Sequence, residues 1–155
     1  MSLFDVTRYE LPNANDVDLD ETKYNIGVFL SAYFAARQRV GQPREPKLTA
    51  SFSVIPPSTV KQSFEAESIL ISNEEAQEEF IHLHQLFIRG VAAVQHPFKP
   101  DIDKRRKNIF FKRFVNGMTI YECSISLHIS ENLVKSESNV IIIQFASALE
   151  LVAYK

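Results

Sequence analysis

The 155-residue sequence has no tryptophan, a single cysteine and four glycines, and each scarcity removes a class of function. Cys123 alone cannot form an internal disulfide, and no Cys/His set stands at zinc spacing, so a reducing interior is expected. Four glycines leave little material for a phosphate-cradling nucleotide loop. Neither a nucleophile elbow nor paired carboxylates in a pocket-like pattern emerge, so no enzymatic activity, cofactor or metal is expected. No apolar run approaches the roughly 18 residues of a membrane span. The opening "MSLFDVTRYE" lacks a basic segment followed by an apolar one, so the expected location is the cytoplasm, with no membrane partner.

What is present is phenylalanine. Twelve Phe in a chain that is 45% hydrophobic predict a globular core packed largely on phenyl rings. The length suits one compact domain or two small helical lobes. A net charge of −2 means that a nucleic-acid-binding surface would have to gather its positive charge in one place.

Residues 1–19, with Pro12 and "NDVDLD", read as a loosely held arm. From Asp20, "DETKYNIGVFLSAYFAARQRVG" predicts a helix capped by Asp20, with Tyr24, Val28, Phe29 and Phe34 on its apolar face and Gly41 after its end. Between prolines, Leu48, Ala50, Phe52 and Val54 alternate with polar residues, which predicts one short extended segment near 47–55. "SNEE" has capping-box spacing from Ser72 to Glu75, and Phe80, Leu83, Phe87, Val91 and Val94 continue a second helix as far as Pro97. His82 and His84 fall on opposite sides of that helix and read as surface residues rather than metal ligands.

The charge then changes sign. Residues 60–95 carry six acids against Lys61 and Arg89. Residues 101–117 carry Lys104, Arg105, Arg106, Lys107, Lys112 and Arg113 against Asp101 and Asp103, a balance of +4. Ile109, Phe110 and Phe114 give this segment an apolar stripe, so the bases are expected to stay in solvent on its other face.

Next come the marks of a helix-turn-helix. Thr119 and Glu122 stand at capping-box spacing after Gly117, Leu127 and Ile129 can anchor a turn, and Ser130 can cap a final helix. That helix is expected to run to the chain end, with Val140, Ile141, Phe145, Ala148, Leu149 and Val152 toward the core. Asn132, Lys135, Ser136 and Asn139 fall near one side of its first half. Asn can read an adenine edge, while Ser and Lys can meet phosphates or bases in a major groove. Glu131 and Glu137 oppose this unless they point elsewhere or accept from cytosine. The expected fold is therefore mainly α: a flexible arm at 1–19, a helical region with an extended segment at 20–100, and a helix-turn-helix DNA-binding region at 101–155.

Over residues 20–155 the order of segments resembles the ArpU family of phage transcriptional regulators. The likeness is carried by "PKLTASFSVIPPS", "ISNEEAQEEF", "FFKRFVNGMTIYECSISLHIS" and "VIIIQFASALELVAY". Members of that family are similar to region four of sigma factors, so the resemblance implies a phage activator of late genes that binds double-stranded promoter DNA and contacts host RNA polymerase. Its DNA-binding residues would be Ser130, Asn132, Lys135, Ser136 and Asn139, with the bases from Lys104 to Arg113 attracting phosphate. His128 stands where the turn usually has glycine, and the reading helix lacks arginine. The alternative is a protein-interaction module with a vestigial helix-turn-helix. Homo-oligomers could form through the extended segment or the last helix.

Overall fold

The computed structural model describes residues 3–48 and 74–155, and these are mainly helical. Helix α1 spans Val6–Tyr9, α2 Leu19–Arg39, α3 Glu74–Ala93 and α4 Pro100–Phe110; α4 continues into a π-helical turn at Phe111–Val115. Helix α5 spans Ile120–Leu127 and α6 Glu131–Leu149. The predicted strand begins in described residues only at Lys47 and Leu48, which are not helical. The remainder of that segment, and Ser72 of the predicted capping box, lie outside the described residues.

Helices α2, α3 and α6 pack against one another, and α4 and α5 both pack on α6. The core is built on rings: Phe87 lies against Tyr33 (centroids 4.5 Å apart), and Phe145 is stacked on Phe110 (4.9 Å). One apolar cluster runs from Ile26 through Phe87 and Phe110 to Ala146, so the residues on either side of position 100 share a single core. Gly90 lets α3 and α6 approach closely. A Cβ there would lie 2.7 Å from Phe145 Cδ2 and Cζ.

Two side-chain expectations are corrected. Tyr24 and Val28 are exposed, and Ile26, Leu30, Tyr33 and Phe34 form the core face of α2. Tyr24 and Val28 each stand two residues from Ile26, about 200° around the helix, so the three cannot share a face. The helix also begins earlier than predicted, because Asp18 rather than Asp20 caps it, accepting from Glu21 N–H at 3.0 Å. His84 is the second correction: it is buried rather than on the surface. It lies four residues after Phe80 and three before Phe87, on the core stripe of α3, and its Nδ1 shares a 2.5 Å hydrogen bond with the Tyr33 hydroxyl. Arg37 Nη1 donates to the same hydroxyl at 3.2 Å. Burial pushes the Tyr33 phenol above its ordinary pKa, which Arg37 offsets only in part.

The ends of the chain meet. Helix α6 stops at Glu150, which is left-handed (φ 58°), instead of running on through Val152. Residues 151–155 return along α2: Asn25 Nδ2 donates to Leu151 O (3.0 Å), Ala153 N–H to Thr22 Oγ1 (3.0 Å) and Asp18 N–H to Ala153 O (2.9 Å). Val17, within the predicted arm, is buried and bridged to Tyr154. Helix α3 likewise ends at Ala93, four residues before Pro97.

The Gly90–Phe145 contact yields a stability prediction. Gly90→Ala places a methyl inside the Phe145 ring, which Phe110 blocks from retreating, so it should destabilise the fold by about 1–3 kcal/mol despite alanine's better helix propensity. Urea denaturation reads this as a lower midpoint, and a higher midpoint would mean that the ring has room to move.

Candidate nucleic-acid interface

The α5–α6 pair is locally specified at each end. Thr119 Oγ1 accepts from Glu122 N–H, and Glu122 Oε1 accepts from Thr119 N–H, both at 3.1 Å, which completes the predicted capping box. His128 is left-handed (φ 58°, ψ 43°), the conformation its place in the turn demands. Histidine tolerates this backbone less easily than glycine does. Leu127 and Ile129 pack against the core beside the turn. Ser130 Oγ then accepts from Leu133 N–H (3.1 Å) and starts α6. Cys123 of α5 is fully buried and has its thiol pushed up by burial, so it stays protonated near neutral pH.

At 3.6 residues per turn, Lys135, Asn139, Asn132 and Ser136 span an arc of about 100° on α6. Asn132, Lys135 and Ser136 are exposed and Asn139 is half-buried. One turn further on Ile143 is buried, so the polar arc belongs to the amino-terminal half of the helix. Glu137 points inward and is only 7% exposed. It is thus removed from the arc, whereas Glu131 remains exposed at the helix start, where the dipole favours an acid.

The basic segment behaves differently from the expectation that its charges stay in solvent. Arg106 Nε donates to Glu137 Oε2 at 2.6 Å, and Arg105 Nη2 to Glu137 Oε1 at 3.4 Å. Lys107 is buried, with Nζ donating to Val94 O (2.7 Å) and to Asp103 Oδ1 (3.2 Å). Arg106 Nη1 also donates to Gln95 O (2.9 Å). Arg113 Nη1 donates to Ser138 Oγ (3.0 Å). The physical reason lies in the preceding helix: α3 ends at Ala93 and leaves carbonyls without helical partners, which Arg106 and Lys107 satisfy. Of the six bases, Lys104 is exposed and Lys112 half-buried, and neither ammonium group makes an ion pair within the described residues.

Glu137 and Ser138, the residues that α4 and its π turn hold, lie about 150° and 110° from the centre of the polar arc. The basic helix therefore packs on the inner side of α6, and the four polar residues lie on its outer side. The sequence brings together Asn132, Lys135, Ser136 and Asn139 as predicted. It does not bring Arg105, Arg106, Lys107 or Arg113 onto that arc. The pairing of Glu137 with Arg105 and Arg106 was not legible beforehand; the sequence required only that Glu137 point elsewhere or accept from cytosine.

No protein-family model matches the chain, and no solved structure does. The chain is similar to an uncharacterized phage-related protein of Listeria innocua, 27% identical over 149 residues that cover 95% of this chain and 97% of that protein.

Removing the carboxylate should show what these ion pairs contribute. Glu137→Ala strands two guanidinium groups against α6 and is expected to cost about 2–3 kcal/mol, below the figure for a fully buried pair because Arg105 can turn toward water. Chemical denaturation checks it, and an unchanged midpoint would mean that the pairs contribute nothing to holding α4 on α6.

Proposed function

We propose that this chain is a phage or prophage protein that binds double-stranded DNA, using α5 and α6 as a helix-turn-helix to regulate transcription. The observation that carries this reading is the outward polar arc of Asn132, Lys135, Ser136 and Asn139 on a helix introduced by a left-handed turn, with Glu137 withdrawn into the protein. An exposed arc of this chemistry suits base edges and phosphates in a major groove. The similarity to a phage-related protein over nearly the whole of both chains supports the phage setting. The resemblance to the ArpU family and to sigma region four adds the finer part of the proposal: activation of late genes in the bacterial cytoplasm, with contact to host RNA polymerase.

A second reading is favoured by the internal use of Arg105, Arg106, Lys107 and Arg113, which leaves the outer surface with less free positive charge than the sequence promises. In that reading the helix pair is scaffold and the chain binds a protein. Tyr121 and Ile125, one turn apart and exposed on α5, would supply apolar contact.

DNA binding separates the two. Fluorescence anisotropy with upstream fragments of the source genome is expected to show salt-sensitive binding that favours one fragment over coding controls. Lys135→Ala should weaken that preferred complex roughly tenfold and narrow the gap to the controls. Absence of binding at low salt would sink the DNA reading and leave the protein-interaction one.

A further inference from the structure

Between the α4 end and the start of the Pro-rich segment lies an open cavity of about 360 Å³. Its wall includes Lys47 and Leu48 from one side, and Asn108, Phe111, Lys112 and Asn116 from α4 and its π turn. Among the described residues, no carboxylate lines it. Lys112 is the base of the α4 segment that lies nearest this hollow while making no internal ion pair, and Lys47 is exposed and equally unpaired among the described residues. Two lysines and two asparagines from distant parts of the chain thus border one space.

We infer that this cavity is a phosphate-binding pocket, in which Lys47 and Lys112 hold the charge and the Asn108 and Asn116 carboxamides donate hydrogen bonds. Lysine and asparagine are regular partners of phosphate oxygens. The helix end nearby opposes an anion with roughly half an elementary charge, against two full charges from the lysines. The π turn has a defined part in the geometry. Asn116 N–H bonds to Phe111 O at 2.8 Å, five residues back, and the extra residue carries Asn116 round to the wall that Asn108 and Lys112 share. Asn116 also stands three residues before Thr119, the cap of α5. A DNA backbone gripped here would be held beside the helix pair, and that version rests on the DNA reading above. As a site for phosphate itself, the pocket stands without it.

The test uses the whole protein, labelled with ¹⁵N, and two probes: inorganic phosphate against chloride at matched ionic strength, and a mixed-sequence duplex. Saturable shifts of the Asn108 and Asn116 side-chain amides with either probe, lost in Lys112→Gln and in Lys47→Gln but kept in Lys104→Gln, would establish the pocket. Lys47 is exposed, so its variant reports on the site even where Lys112→Gln disturbs packing. Shifts with the duplex identify the backbone as the source; shifts with phosphate alone identify a free anion and weigh against DNA. Duplex binding that leaves these signals unmoved, with phosphate also silent, overturns the pocket while the DNA reading survives. Silence from both probes with no duplex binding overturns both, and shifts indifferent to Lys47 and Lys112 overturn the pocket as an adventitious ion.

Discussion

The Phe145 ring lies over the backbone of Gly90, and much of the remaining architecture depends on that contact. It sets how closely α3 and α6 approach and brings Phe145 into a stack with Phe110, so α4 is drawn to the same point. Once α6 is fixed there, its rotation follows. Val134, Ile141 and Phe145 must face inward, and Asn132, Lys135, Ser136 and Asn139 are left outward. The core thus chooses the surface on which any recognition would occur.

The charges follow from the same placement. Helix α4 beneath α6 directs Arg105 and Arg106 at Glu137, so the acid and two of the bases neutralise one another. Both partners leave the outer face together. Lys107 and Arg106 also satisfy carbonyls where α3 ends, which binds the acid-rich and base-rich parts of the chain at the junction where the sign of the sequence changes. A run of like charges is therefore no guide to a charged surface, because buried backbone acceptors compete for it.

Helix periodicity and capping signals were the legible part of the sequence. The Thr119–Glu122 box, the Ser130 cap and the mainly helical fold all follow from local rules. Side-chain directions that depend on long-range packing were not legible. The broad apolar face read into α2 included Tyr24 and Val28 because apolar residues surround that helix, and only contact with α3 and α6 selects Ile26, Leu30 and Tyr33. His84 looked like a surface residue because its partner, Tyr33, is 51 positions away. Lys47 gave no signal at all, since Asn108, Lys112 and Asn116 across the cavity come from more than sixty positions further on.

The central claim, that the outer arc of α6 meets DNA, is most directly tested by photo-crosslinking. A benzophenone amino acid placed at Ser136, and in a separate variant at Val28 on the exposed face of α2, would be irradiated with a bound upstream duplex. A crosslink to DNA from position 136 and none from position 28 is the predicted result. A bound duplex that crosslinks from position 28 and not from 136 would contradict the account.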